Sequence, residues 1–315
     1  MSISKQVASV DALTEAVRNH INTHRYQSVL LDDPKIWNQI CCSLDVIGDS
    51  LYAVDSYDSS EYPDDVGLKY IYTYGLLQAL FLMQDALRHL SKAFSIQFEL
   101  TETLKEIRNF RNSSIGHPTK QDQKGKVYYN FISRNSMSKA GFDLKRRSGD
   151  SDHNSVHVDI SQACSDQLAG IIEACCKITE KLEEKDRMHK EQFKDSPISD
   201  VFHSAIGYFF EKISQEIHAH SSEDREFCHR HVRLLKETYE KFKSALEDRK
   251  ELNENTELVL SEYFHALEKL DEYLSGSEKS MEEADARIYL SYLRTEHTRF
   301  VAIAKEIDED YQIKT

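Results

Sequence analysis

Within EIRNFRNSSIGHPTK (residues 106–120), an arginine, an asparagine and a histidine fall at a spacing suited to phosphate chemistry. Arg111 and Asn112 are adjacent, and His117 completes the pattern R-N-x4-H. The spacing places Arg111 in the last turn of a helix. Gly116 and Pro118 turn the chain out, so that His117 can fold back beside Arg111. Arginine is a permanent cation with a fork of donors that matches phosphate oxygens. Histidine, with an ordinary pKa near 6.5, can exchange a proton with a ribose 2′-OH or a leaving 5′-oxygen. Arg111 would hold the scissile phosphate and stabilise its growing charge, with Asn112 as positioner. Such a site needs no metal and no cofactor. The same residues also suit an ordinary helix C-terminus, where cations favour the negative end of the dipole.

The surrounding charge strengthens the first reading. The 315-residue chain has a net charge of −14, yet residues 101–150 carry eleven cations against five anions, a net +6. Residues 1–100, 151–250 and 251–315 sum to −6, −5 and −9. An acidic chain repels nucleic acid in general, so phosphate binding would have to use the basic island.

The elements that must position this site read as helices. Residues 8–30 are expected to form one helix. Asp32 or Asp33 caps a second, with Pro34 in its first turn and Ile36, Ile40, Leu44, Ile47 and Leu51 at helical spacing. Ser59–Gly67 is a polar loop. Leu68–Phe94 is an apolar helix central to the core. The site helix is expected over Thr101–Ser114, with Thr103–Glu106 as a capping box and Leu104, Ile107 and Phe110 on its apolar face. Three β-type runs follow between residues 126 and 160, an antiparallel meander, and then a helix over Ser161–Lys194. Beyond the boundary KDSPISD (Lys194–Asp200) four helices carry near-heptad apolar stripes, and Gly276 ends the third.

Other groups read as less specific. His218, His220, Cys228, His229 and His231 are zinc-ligand types, but no C-x2-C pair supports them, and a solvated helix–turn–helix is favoured. Asp85, Arg88 and His89 could border the cleft. Lys120, Lys124, Lys126, Arg146 and Arg147 are expected to form a solvated face, functional only if the meander packs beside the motif and tracks a phosphate backbone. No Gly-rich phosphate loop, H-E-x-x-H or G-x-S-x-G occurs. The N-terminal residues lack the apolar core of a secretory signal, and the longest apolar run is too short to span a bilayer. The six cysteines form no regular framework, so reduced thiols, a cytoplasmic location and no membrane partner are expected.

RNSSIGHP, with YGLLQALFLMQDALRHL before it, resembles the R-x4-6-H motif and core helix of the HEPN superfamily, whose motif arginine is typically followed by a polar residue. Arg111, Asn112 and His117 match that motif, and the resemblance covers roughly residues 35–190. It implies a mainly α protein. A HEPN-like helical bundle over residues 1–194 would carry a small β-meander insertion at about 126–160; the last third has no counterpart in the resemblance, and its near-heptad stripes suggest a C-terminal antiparallel helical bundle over 198–315. It also implies a homodimer that brings two motifs into one cleft. The implied activity is metal-independent endoribonuclease action in toxin–antitoxin, antiviral-defence or RNA-processing systems. Arg111, Asn112 and His117 would be catalytic, with Arg108, Lys120 and Lys124 against RNA and a regulatory protein on the C-terminal bundle. Inactive members exist as a class. A non-catalytic RNA-binding or dimerisation scaffold, whose C-terminal bundle binds a protein, is the alternative.

Overall fold

A computed structural model describes residues 1–31, 33–123, 125–148, 152–219, 225–276 and 281–312. The protein is mainly helical, with a small antiparallel sheet inserted between helices. The chain divides into two compact units, Met1–Glu183 and Glu184–Thr315. The division falls inside a long helix, ahead of the polar Lys194–Asp200 segment at which the sequence suggests a boundary.

The first unit opens with α1 (Ile3–Ile21) and α2 (His24–Leu31), where the sequence suggested one helix. The break has a local cause: Thr23 turns its hydroxyl onto the His20 carbonyl at 2.8 Å, competing with the backbone ladder. α3 (Pro34–Ser59) starts at Asp33, which accepts from the Lys35 N–H, with Pro34 in the first turn. α4 (Val66–Ala93) is capped by Asp65 and packs along α3. Ile40, Leu44, Ile47 and Leu51 of α3 meet Leu76, Leu80, Met83 and Leu87 of α4 in one core, while Ile36 is exposed.

α5 (Glu102–Arg111) carries the site. Its cap is Thr101, which accepts from the Leu104 N–H at 3.3 Å, so the capping box expected at Thr103 is corrected. Leu104 and Ile107 are buried against α4 and α6 (Ile160–Phe193). Gln84 of α4 is fully buried and donates to the Leu104 carbonyl at 3.0 Å and to Gln167 of α6 at 2.8 Å. A buried amide with partners fixes where a neighbour must sit, because losing one partner leaves a costly orphan. This bond therefore locates the start of α5 on α4.

The sheet has four strands in the order β1-β2-β3-β4: Gln121–Gln123, Lys126–Ile132, Gly141–Ser148 and Asp152–Asp159. β1 was not expected, since QDQ has no β propensity. Pairing with β2 overrides that, helped by Gly125 at φ +80° in the connecting turn. Phe142, Leu144 and Val158 face the core.

The second unit contains α7 (Ile206–Ala219), α8 (Arg225–Arg249), α9 (Glu254–Ser275) and α10 (Glu283–Tyr311). Gly276, left-handed at φ +71°, ends α9 as the sequence suggests. The apolar stripe of α8 comprises Leu235, Tyr239, Phe242 and Leu246, all buried. On α7, Phe210 is buried and Phe209 packs at the margin. Tyr239, Phe242, Tyr263 and Phe300 form the ring cluster at the centre, with Tyr239 and Tyr263 centroids 4.0 Å apart.

His297 lies at the edge of this cluster, sharing a 2.7 Å hydrogen bond with the Tyr239 hydroxyl beside the Phe202 and Phe210 rings. Burial lowers its pKa below that of a free histidine. The unfolded chain therefore takes up this proton more readily. The contribution of His297 to stability is complete above about pH 6.5 and declines as the pH falls through that value toward the lower pKa in the fold. Thermal unfolding of the full chain at about pH 7.5 and about pH 5 checks this. His297→Gln should lose less Tm between the two than the wild type, and an equal loss would contradict it.

Candidate functional site

The α-helical part of α5 stops at Arg111, and Asn112–Gly116 form a single π turn, where the sequence suggested helix to Ser114. The His117 N–H donates to the Asn112 carbonyl at 2.7 Å, five residues back. Pro118 then disfavours helical backbone at His117, which sits at φ −139°, ψ 52°. Such π turns often mark functional sites.

The π turn has a packing reason. It buries Ser113 and Ser114 against the sheet. The Ser113 hydroxyl donates to Gln121 Oε1 at 2.9 Å and accepts from Arg146 Nη2 at 3.1 Å. Arg146 Nε donates to Asn130 Oδ1 at 3.0 Å, and Asn130 Nδ2 closes the ring onto Gln121 Oε1 at 3.2 Å. A further bond, Asn130 N–H to the Pro118 carbonyl at 2.7 Å, ties β2 to the residue just after His117. Arg146 therefore belongs to a half-buried network rather than to the solvated face expected of it.

Arg111 is held from α4. Its Nε and Nη2 donate to Gln78 Oε1 at 3.0 and 2.8 Å, and Nη1 donates to Asn112 Oδ1 at 3.1 Å. The guanidinium lies 4.3 Å over the Phe81 ring, which also carries Arg108 at 4.0 Å. A Cβ on residue 116 would meet Arg111 Nη1 at 2.8 Å, so a larger residue there would push the tip of the guanidinium aside. The Arg111 head thus rests on the residue immediately before His117. His117 is exposed, and its imidazole makes no hydrogen bond among the described residues.

Arg108–Asn109 and Arg111–Asn112, one turn apart, differ in electrostatics. Arg108 Nη2 is 3.0 Å from the Asp85 carboxylate, which Arg88 also approaches at 3.4 Å. Its charge is compensated within the fold. Among the described residues Arg111 donates only to the neutral amides of Gln78 and Asn112, so no carboxylate there offsets its charge, and part of its donor fork is left over. A positioned cation resting on the residue before an exposed histidine has the groups needed to bind a phosphate and move a proton at it.

Lys120 is exposed, just past Pro118, and Lys124 lies outside the described residues. Other cations of the basic island serve the fold: Lys139 Nζ donates to the Asp58 and Ser60 carbonyls at 2.7 and 2.8 Å, covering the end of α3. His89 is exposed.

The histidine-rich segment of the second unit is scattered. His231 is buried against the Phe209 and Phe227 rings, with Nδ1 2.7 Å from the Phe227 carbonyl. His229 faces Asp271 at 2.8 Å and His218 faces its own helix, while His220 lies outside the described residues. Among the described residues no group of three or more His, Cys, Asp or Glu side chains could hold a metal ion. Burial pushes the Cys164 and Cys175 thiols up to about 12, which leaves neither a thiolate nucleophile near neutral pH.

Sequence reasoning did not find Gln78, Phe81 or the close approach at Gly116. One signal was present: Arg108 and Arg111 are three apart on one helix face, as residues that share a partner must be. Comparison of the chain with protein-family models, with curated proteins and with solved structures yields no match in any of the three.

Proposed function

We propose that the protein is a metal-independent endoribonuclease of HEPN type, acting from the toxin–antitoxin or defence repertoire of that superfamily. The observation that carries this reading is the uncompensated Arg111, fixed by Gln78 and Asn112 against the residue that precedes an exposed His117. In the reaction, the ribose 2′-oxygen attacks the adjacent phosphorus and loses its proton to a base. The bond to the 5′-oxygen breaks, and that oxygen takes a proton. The products carry a 2′,3′-cyclic phosphate and a 5′-OH. His117 supplies the proton transfer, Arg111 takes the non-bridging oxygens, and Asn112 orients Arg111.

A homodimer fits the same reading. Leu68, Ile71, Gly75 and Leu82 form an exposed stripe along α4, and Gln78, which holds Arg111, lies within it. A second copy covering this stripe would bring two Arg111–His117 sites together, one histidine as base and the other as acid. The acidic C-terminal unit repels RNA and is read as the part that receives a basic regulatory protein. Among the described residues no helix is long and apolar enough to cross a membrane.

Growth on expression separates this reading from a non-catalytic scaffold. The wild type should slow growth and His117→Ala should not. Equal growth curves for the two would favour the scaffold.

A further inference from the structure

The outer face of the sheet departs from strand patterning. Asn130 and Ile132 of β2, with Phe142 and Leu144 of β3, point inward and are buried. The alternate positions of a half-solvated antiparallel sheet should be polar. Instead Tyr129 and Phe131 stand outward at 50% and 48% exposure. In the β2–β3 register Tyr129 is opposite Arg147 and Phe131 is opposite Lys145. The exposed Arg147 guanidinium lies 5.6 Å over the Phe131 ring. Three acids share this face by register: Asp143 is engaged by His157 at 3.0 Å and by Lys145 at 3.7 Å, Asp159 accepts from the Gln162 N–H at 2.9 Å, and Asp122 stands on the edge strand opposite Val127.

We infer that this face is a stacking platform for the unpaired bases of a single-stranded RNA. Outward aromatic rings with interleaved cations are what an unpaired strand requires: a π-face for each base and a charge for the backbone. A duplex hides its base faces and offers none to a ring. Two residues along a strand separate the rings by about 7 Å, room for a separate base on each. The platform is also joined to the site. Asn130, between the two rings, donates its N–H to the Pro118 carbonyl at 2.7 Å, directly after His117. A strand lying on Tyr129 and Phe131 would thus lead past Lys120 to His117. The inference names the substrate class of the proposed nuclease and rests on that reading for the path, but the binding itself stands apart from catalysis.

The test uses the full wild-type chain and a fluorescein-labelled, short 2′-O-methyl oligoribonucleotide, which lacks the attacking hydroxyl and stays intact. Anisotropy is read against the Tyr129→Thr/Phe131→Thr variant, in which β-branched residues keep the strand. The variant should bind at least about tenfold more weakly, about 1.4 kcal/mol, and wild type should bind the same sequence as a duplex at least about tenfold more weakly than as a single strand. Equal affinity of variant and wild type, or of duplex and single strand, overturns the inference. In Phe131→Trp the added indole should be quenched by the strand, beyond any change at Trp37 in the wild type; an unquenched indole overturns it too. Ring-independent binding with His117-dependent cleavage would remove the platform and leave the nuclease. Ring-dependent binding with no His117-dependent cleavage would do the reverse.

Discussion

His117→Ala should reduce RNA cleavage by about 10²–10⁴-fold, the usual contribution of a positioned acid–base group, and leave the fold unchanged. Both halves of the expectation come from one fact: the imidazole is exposed and bonds to nothing among the described residues. A side chain so placed contributes little to stability, so the unfolding free energy should stay within the range of a surface substitution, about ±0.5 kcal/mol, and Tm should shift little. The backbone turn does not depend on the ring, because the His117 N–H bond to Asn112 remains in the variant. Initial rates on bulk tRNA and a melting curve of the same preparation test it together. Unchanged cleavage would remove His117 from the mechanism. Lost cleavage with lost folding would assign the ring a structural role instead.

The second large effect concerns Arg111, where charge and position can be separated. Arg111→Ala removes the phosphate donor and should lower kcat/KM by about 10²–10³-fold, as loss of one preorganised donor does elsewhere. It also removes the bonds to Gln78 and Asn112 and the Phe81 contact, so a stability loss of about 1–3 kcal/mol is expected alongside. That second loss complicates the first. Gln78→Glu resolves it. A carboxylate at residue 78 would keep the guanidinium in place and supply the counter-charge that the amide lacks. Stability should hold or rise by up to about 1 kcal/mol, the worth of a partly exposed ion pair, while cleavage falls by at least about tenfold through lost phosphate attraction. If Gln78→Glu cleaves like the wild type, the free charge of Arg111 is not what the site uses.

Much of the fold was legible because it follows from periodicity. The α3 start at Asp33–Pro34, the α4 core helix and the left-handed Gly276 all rest on local rules of spacing and capping. The misses are places where distant partners decide. Thr101, not Thr103, caps α5, and QDQ became a strand only through β2. At the site, the pattern from Arg111 to His117 was visible, but its π turn was not. That turn is set by Ser113 reaching Gln121 and Arg146 across the sheet, a contact no local rule encodes. The unequal standing of Arg108 and Arg111 was likewise invisible, since it depends on Asp85 and Gln78 of a different helix.

The most direct test of the central claim is the chemistry of the cut ends. RNA incubated with the full-length protein in EDTA should yield fragments with a 2′,3′-cyclic phosphate on one side and a 5′-OH on the other, and an RNA with a single 2′-O-methyl group at the cleavage position should resist at that bond. Fragments with a 5′-phosphate and a 3′-OH, or cleavage at the methylated position, would contradict attack by the 2′-OH and with it the roles assigned to Arg111 and His117.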